Sequence, residues 1–356
     1  MLLDGIILKC SLHIQEERTS SAIYHLLHGK RSIQTVQDAH IYQLEHFYGI
    51  SPTLTKQKFD KKMNDLLSQG LLATSSYTDT TYKPTQLAKP WIEKKQRHLP
   101  FNQFNGLKYF ESGPIFIQRL LLLIQTLSNS KMRYFSFIPV IDKTDVTDWV
   151  KKTYKQMKSL ENKGLPVLYK ELYMLLSHFS DVEAELFVDR LTGFKNYGMS
   201  LEQLSMSYKM DKADIQLLLT SLTHQMLGKI EKDDLHFPVM SFIMKDLANA
   251  SFLTHSAQKT YQLIQGRYSI HEIAQMRQLK ENTIYDHIVE IALYDRNFPI
   301  QDYVENKRYK EIMDAVKQTN SFKLKHIKEM VNKDISYFQI RLILATAQDS
   351  LKRGGL

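Results

Sequence analysis

"GRYSIHEIAQMRQLKENTIYDHI", residues 266–288, is the stretch on which the fold turns. Ser269 stands where a helix N-cap belongs and Glu272 follows three residues later, the spacing of a reciprocal capping box. A first helix is therefore expected over about 270–276, a break over "RQLK" (277–280) and a second helix from Glu281. Ile273, Leu279, Ile284 and Ile288 supply the apolar positions, and Ile284 and Ile288, one turn apart, face the core. Ala274 is small enough for a second helix to cross close to the first. Two short helices joined this way form a helix-turn-helix, whose second helix enters the major groove of DNA.

The pattern recurs upstream. "SLEQLSMSYKMDKADIQLLLTSL" (200–222) places Leu204, Ser205, Met210, Ile215 and Leu219 at the intervals of Ile273, Ala274, Leu279, Ile284 and Ile288. Ser200 repeats the cap, with Gln203 three residues on. At least one of the two copies is read as a purely structural helix hairpin.

Near the N-terminus the signature changes. "SAIYHLLHGKRSIQTVQDAHIY" (21–42) supplies two apolar-periodic helices, and a third is expected with Ser51 as cap and Pro52 at its first position. Phe59, Met63, Leu66 and Leu67 form its buried stripe and Gly70 its left-handed stop. "LLATSSYTDTTYKPT" (71–85) reads as a hairpin, and 87–95 as a closing helix. Three helices followed by a hairpin make a winged helix. The stretches "HLPFNQFNG" (98–106) and "EKDDLHFPVM" (231–240) read as linkers. The expectation is a mainly α, multi-domain protein: a winged-helix-like domain over 1–98, a helical middle domain over 107–230 with its helix-turn-helix at 200–222, and a helix-turn-helix domain over 241–356.

Composition agrees with a helical chain. Only 13 glycines and 9 prolines occur in 356 residues, too few for the frequent turns of a sheet protein. Cys10 is the lone cysteine, which excludes an internal disulfide and a cysteine-based zinc site. The opening "MLLDGIILKC" carries Asp4 and no basic region before its apolar stretch, so no secretory leader is expected and a reduced, cytoplasmic setting follows. "PIFIQRLLLLIQTL" (114–127), interrupted by Gln118 and Arg119, reads as a buried helix rather than a membrane span.

Catalytic signatures are missing. "HGKR" (28–31) lacks the upstream glycine and following hydroxyl of a phosphate loop, no GxGxxG or GxSxG occurs, and the 13 histidines form no HExxH. A binding protein is expected, not an enzyme, with no cofactor, metal, membrane or evident small-molecule ligand. The net charge of +9 and pI of about 9.2 leave an acidic partner such as DNA plausible.

Candidate contacts follow from the two modules. In the winged helix, Thr53, Lys56, Gln57 and Lys61 lie away from the Phe59/Met63 stripe and are side chains that meet phosphates and base edges. Tyr77 in the hairpin, and Lys83 beside it, could touch a backbone or strand junction. In the C-terminal motif, Arg277 and Lys280 are the phosphate candidates, and Asn282 and His287 the base or phosphate partners on the outward side of the second helix. Glu281 and Asp286 would repel phosphates there. Residues 251–356 hold 16 Lys and Arg against 12 Asp and Glu, a weakly basic balance.

"TYQLIQGRYSIHEIAQMRQLKENTIYDHI" (260–288), followed by "IKEMVNKDISYFQIRLILA" (327–345), resembles the helicase-type helix-turn-helix module at the tail of many RecQ-family helicases. The layout, with long helical N-terminal parts and no helicase motor, is similar to the YpbB-like proteins of Gram-positive bacteria, typically encoded beside a RecQ helicase. Two positions depart from the module's pattern: Gln278 occupies the turn position usually given to glycine, and Lys280 the position often held by a serine cap. The resemblance implies a DNA-binding accessory protein that works with a RecQ-type helicase in repair or recombination. A transcription regulator is the alternative.

Overall fold

A computed structural model describes residues 1–74, 81–96, 99–158, 164–247, 253–295 and 297–347. Nineteen α-helices and one two-stranded sheet lie among them, so the mainly α expectation holds. Helix α1 (Leu2–Ile14) buries Leu2, Leu3, Ile6, Ile7 and Leu8 almost completely. Helices α2 (Ser20–His28) and α3 (Ile33–Ile41) follow, the first ending at left-handed Gly29 and the second capped by Ser32.

The third helix of the N-terminal module, α4 (Lys56–Ser68), starts later than expected. Ser51–Leu54 forms a turn, with the Leu54 N–H donating to the Ser51 carbonyl at 3.1 Å. Thr55 rather than Ser51 is the cap, its hydroxyl accepting from the Lys58 N–H at 3.3 Å, so Pro52 stays outside the helix. Phe59, Met63 and Leu66 are buried as expected. Gly70, at φ 67°, ends the helix, and the Leu71 N–H reaches back to the Leu66 carbonyl at 3.0 Å. Strands β1 (Leu72–Thr74) and β2 (Tyr82–Pro84) then pair antiparallel, Leu72 opposite Pro84, before α5 (Ala88–Gln96).

The middle of the chain supplies α6 (Gly106–Tyr109), α7 (Ser112–Lys131), α8 (Thr144–Lys158), α9 (Gly164–Leu176), α10 (Asp181–Val188), α11 (Leu201–Ser207), α12 (Lys212–Lys232) and α13 (Pro238–Met244). Phe116, Leu123, Val150, Leu175, Phe187 and Met226 are central to their shared core. The run 114–127 lies within α7 as a buried helix, and no helix among the described residues is long and apolar enough to cross a membrane. Arg119, on α7, is held by a bidentate pair to Asp246 at 2.6 and 2.8 Å and lies 4.4 Å from the Trp149 ring. The two stretches read as linkers are packed in: Phe101 and Phe104 of one, and Phe237 and Met240 of the other, are buried. Their polar residues disguise apolar anchors.

The C-terminal part contributes α14 (His255–Gln265), α15 (Ile270–Arg277), α16 (Glu281–Tyr294), α17 (Asn306–Thr319), α18 (Leu324–Met330) and α19 (Tyr337–Thr346). Packing divides the chain into two units, neither continuous in sequence. One comprises Met1–Ile7, Gly49–Lys62 and Lys89–Ala250; the other Leu8–Tyr48, Met63–Ala88 and Ser251–Leu356. This division differs from three consecutive domains, and long-range bonds within each unit explain it. In the first, Asp214 of α12 accepts the Leu3 N–H at 2.9 Å, and Lys62 lies 3.3 Å from Asp4. In the second, the Gln37 amide of α3 donates to the Arg341 carbonyl of α19 at 2.8 Å, and Glu17 accepts the Phe322 N–H at 2.9 Å.

Candidate nucleic-acid interface

The C-terminal helix pair is built as its sequence suggests. Ser269 accepts from the Glu272 N–H at 3.3 Å while Glu272 accepts from the Ser269 N–H at 2.8 Å, a complete capping box. Gln278 closes α15 in the left-handed region at φ 52°, ψ 42°, and the Leu279 N–H donates to the Ala274 carbonyl at 2.9 Å. The turn thus keeps its glycine-type conformation without glycine. Lys280 occupies the N-cap position of α16 but makes no side-chain cap bond.

The upstream copy is the same device. Ser200 and Gln203 form a capping box, Lys209 is left-handed at φ 52°, and the Met210 N–H meets the Ser205 carbonyl at 3.1 Å. Leu204 and Ile215 are fully buried, matching Ile273 and Ile284. Its second helix, α12, continues to Lys232 and packs against α7, α10, α11 and α13.

Four elements enclose α16: α14, α15, α19 and α3. In consequence Glu281 and Asn282 are its only exposed side chains. Tyr285 packs on Phe338 with ring centres 4.4 Å apart, and Asp286 pairs with Arg341. Any groove contact by α16 is therefore confined to its first turn and the preceding Lys280, which is exposed.

His287 does not face outward. It is 8 % exposed, and its Nδ1 lies 2.8 Å from the Thr260 hydroxyl. Arg277 is drawn to the same place: its Nη1 donates to the Ser256 carbonyl at 2.6 Å and to the Thr260 hydroxyl, and its Nη2 to Ser256 Oγ at 2.9 Å. Since Thr260 accepts from Arg277, its own proton goes to His287 Nδ1, which places the imidazole proton on Nε2. Burial, with Arg277 nearby, pushes the His287 pKa below its usual value, and burial lowers that of Arg277. These two candidates form an internal brace joining α14, α15 and α16.

Two residues on the open side went unnoticed in the sequence. His271 Nδ1 lies 3.0 Å from Glu281, and its Nε2 lies 2.8 Å from the Gln275 amide. The 271/275 spacing, one helical turn on the outward side of α15, was the available signal.

On α4, Gln57 and Lys61 are exposed. Lys56 is exposed too, but it pairs with Asp60 and lies 5.1 Å from the centre of the Phe59 ring. Thr53, ahead of the helix, donates to Gln216 Oε1 at 2.8 Å and is committed to the protein. Lys83 is exposed on β2, 3.8 Å from Glu16. Tyr77 lies outside the described residues.

Known proteins resemble this chain in sequence. A helix-turn-helix domain family matches residues 256–344, from the start of α14 to the end of α19. Protein YpbB of Bacillus subtilis (strain 168) is 30 % identical over 346 residues, covering 96 % of each chain. No solved structure matches. The helix-turn-helix domain suggests DNA binding.

Proposed function

Because the chain belongs to the YpbB family, we propose that it is a non-enzymatic, DNA-binding accessory protein that works with a RecQ-type helicase in repair or recombination. The observation that carries the DNA contact is the helix-turn-helix domain at 256–344, with Lys280 and Asn282 at its open edge. Lys280 would neutralise a phosphate, and Asn282 offers an amide to a base edge or a sugar-phosphate oxygen. With one short turn of α16 available, base readout is limited and grip comes mainly from the backbone. Lys61 and Gln57 of α4 add a further polar surface of the same type.

The helicase assignment rests on the resemblance of the tail to the module at the end of RecQ-family helicases. The sequence has no phosphate loop, so ATP-driven unwinding is assigned to the partner.

The test is co-elution of the purified chain with the RecQ-type helicase of the same cell, after nuclease treatment to remove bridging DNA. A stable complex is expected. No complex, together with tight binding to particular palindromic duplexes, would favour a transcription regulator instead.

A further inference from the structure

The first unit contains a cavity of about 430 Å³, within the size range of small-molecule sites (about 300–1,000 Å³). One wall is a single face of α12, the second helix of the upstream helix-turn-helix copy: Gln216, Leu219, Thr220, Thr223 and His224 recur at helical spacing along it. Phe110, Ile117, Leu121 and Phe187 make the rest mostly apolar.

The polar groups that line this cavity are biased toward donors. No Asp or Glu lines it, whereas Lys143 and Arg190 both do. Neither cation has a carboxylate within salt-bridge distance among the described residues. Arg190 is half-buried and spends one donor on the Met199 carbonyl, leaving others of its planar fork. Gln216 uses its oxygen to accept from Thr53 at 2.8 Å, which leaves its NH₂ group to donate.

His224 adds an independent observation. It is 4 % exposed, and its Nδ1 accepts the Asn105 N–H at 3.1 Å. A neutral ring must then carry its proton on Nε2, and no protein group among the described residues accepts it. Burial lowers the pKa of this imidazole to about 4, so the ring is neutral and Nε2–H remains a donor at physiological pH. This donor, in a cavity lined by Lys143 and by Arg190, which feels Glu202 only at longer range, favours an acceptor-bearing anion.

We propose that this cavity binds a small amphipathic anion, an apolar body bearing a carboxylate, phosphate or sulfonate head, with Arg190 and Lys143 taking the charge and His224 Nε2 and the Gln216 amide donating hydrogen bonds. The site is independent of any DNA contact. It gives the upstream helix-turn-helix copy a role other than groove reading, because the face of α12 that lines the cavity is then occupied by the ligand.

The test uses two fluorescent probes of similar shape on the purified full-length chain at neutral pH: 1-anilinonaphthalene-8-sulfonate, which carries an anionic head, and N-phenyl-1-naphthylamine, which does not. Saturable binding of the sulfonate at one site is expected. Lys143→Gln should weaken it about threefold and Arg190→Gln about tenfold, the scale of one lost charge-assisted contact, while the uncharged probe changes less than about twofold. Leu219→Trp, which fills the cavity, should abolish binding of both. Equal effects of the charge substitutions on the two probes would overturn the anion assignment. Unchanged sulfonate binding in a folded Leu219→Trp protein would overturn the site. Lys143 is exposed, so its variant keeps the test decisive even where Arg190→Gln or Leu219→Trp unfolds the chain.

Discussion

Thr260 Oγ1 and His287 Nδ1 lie 2.8 Å apart inside the C-terminal helix-turn-helix, and Arg277 donates to the same Thr260 oxygen. Three helices are therefore joined by a polar chain rather than by apolar packing alone. Thr260→Val, close in shape, removes the middle link and leaves Arg277 and His287 each short of a partner. The expected loss is about 1–3 kcal/mol, the cost of unsatisfied buried polar groups. Urea unfolding of the full chain followed by far-ultraviolet circular dichroism measures it, and an unchanged midpoint would show that the chain is not structural.

Acid should weaken both units through buried histidines. Burial lowers the pKa of His46 in one unit and of His224 in the other to about 4, from an ordinary 6.5. Below about pH 6.5 the unfolded chain binds protons that the folded chain refuses, so this contribution to stability is complete above pH 6.5 and declines toward about pH 4. The His46→Gln/His224→Gln double variant should show a flatter dependence of Tm on pH across that window than the unaltered chain. Parallel curves for the two proteins would assign the acid loss to other groups.

The left-handed turns should respond to glycine. Gln278 and Lys209 both sit at φ 52°, a conformation costing an L-residue about 1–2 kcal/mol, partly offset by the entropy that glycine loses on folding. Gln278→Gly and Lys209→Gly should each stabilise by about 0.5–1 kcal/mol, and Gln278→Ile should destabilise. Denaturant midpoints decide it, and a destabilised Gln278→Gly would mean that the glutamine side chain makes a contribution of its own.

Local features were legible in the sequence and long-range ones were not. The Ser269/Glu272 and Ser200/Gln203 boxes, the buried Ile273 and Ile284, and the Gly70 stop depend on neighbours within a few residues, so spacing alone reveals them. Ser51 resembles a cap because Pro52 follows it, but Thr55, four residues later, offers the same chemistry and takes that role. The polarity of His287 suggests an outward residue, yet it adjoins Ile284 and Ile288 on the helix surface, and its partner Thr260 is 27 residues away. Asn282 stands at the exposed start of α16, as expected of an outward residue, but the enclosure of the rest of that helix involves α3. The bond between Gln37 and Arg341 spans 304 residues, a separation for which helical periodicity carries no signal.

At the candidate interface, stability and DNA affinity should separate by residue. Lys280 and Asn282 are exposed, so Lys280→Glu and Asn282→Ala should weaken duplex binding with little change in Tm. Arg277→Ala should lower Tm, because Ser256 and Thr260 lose the donor that bridges them. Lys280→Glu should also reduce the slope of log affinity against log salt by about one counterion, whereas Asn282→Ala should leave that slope unchanged. Fluorescence anisotropy with a labelled duplex at several salt concentrations reads these effects. The reverse pattern, affinity tracking Arg277 and ignoring Lys280, would remove the first turn of α16 from the interface.

Charge on α4 provides the last separation. Lys61 is exposed with no ion pair among the described residues, while Lys56 is engaged by Asp60 and the Phe59 ring. A lysine already neutralised by an adjacent carboxylate releases less counterion on meeting a phosphate. Lys61→Glu should therefore weaken duplex binding more than Lys56→Glu, and the double reversal should lower the salt slope further. Asp60→Asn should strengthen binding modestly, since it frees Lys56 and removes a repelling charge. If the double reversal leaves affinity and salt slope untouched, α4 does not contact DNA and the N-terminal module is left to protein docking, with the C-terminal helix pair as the remaining DNA contact.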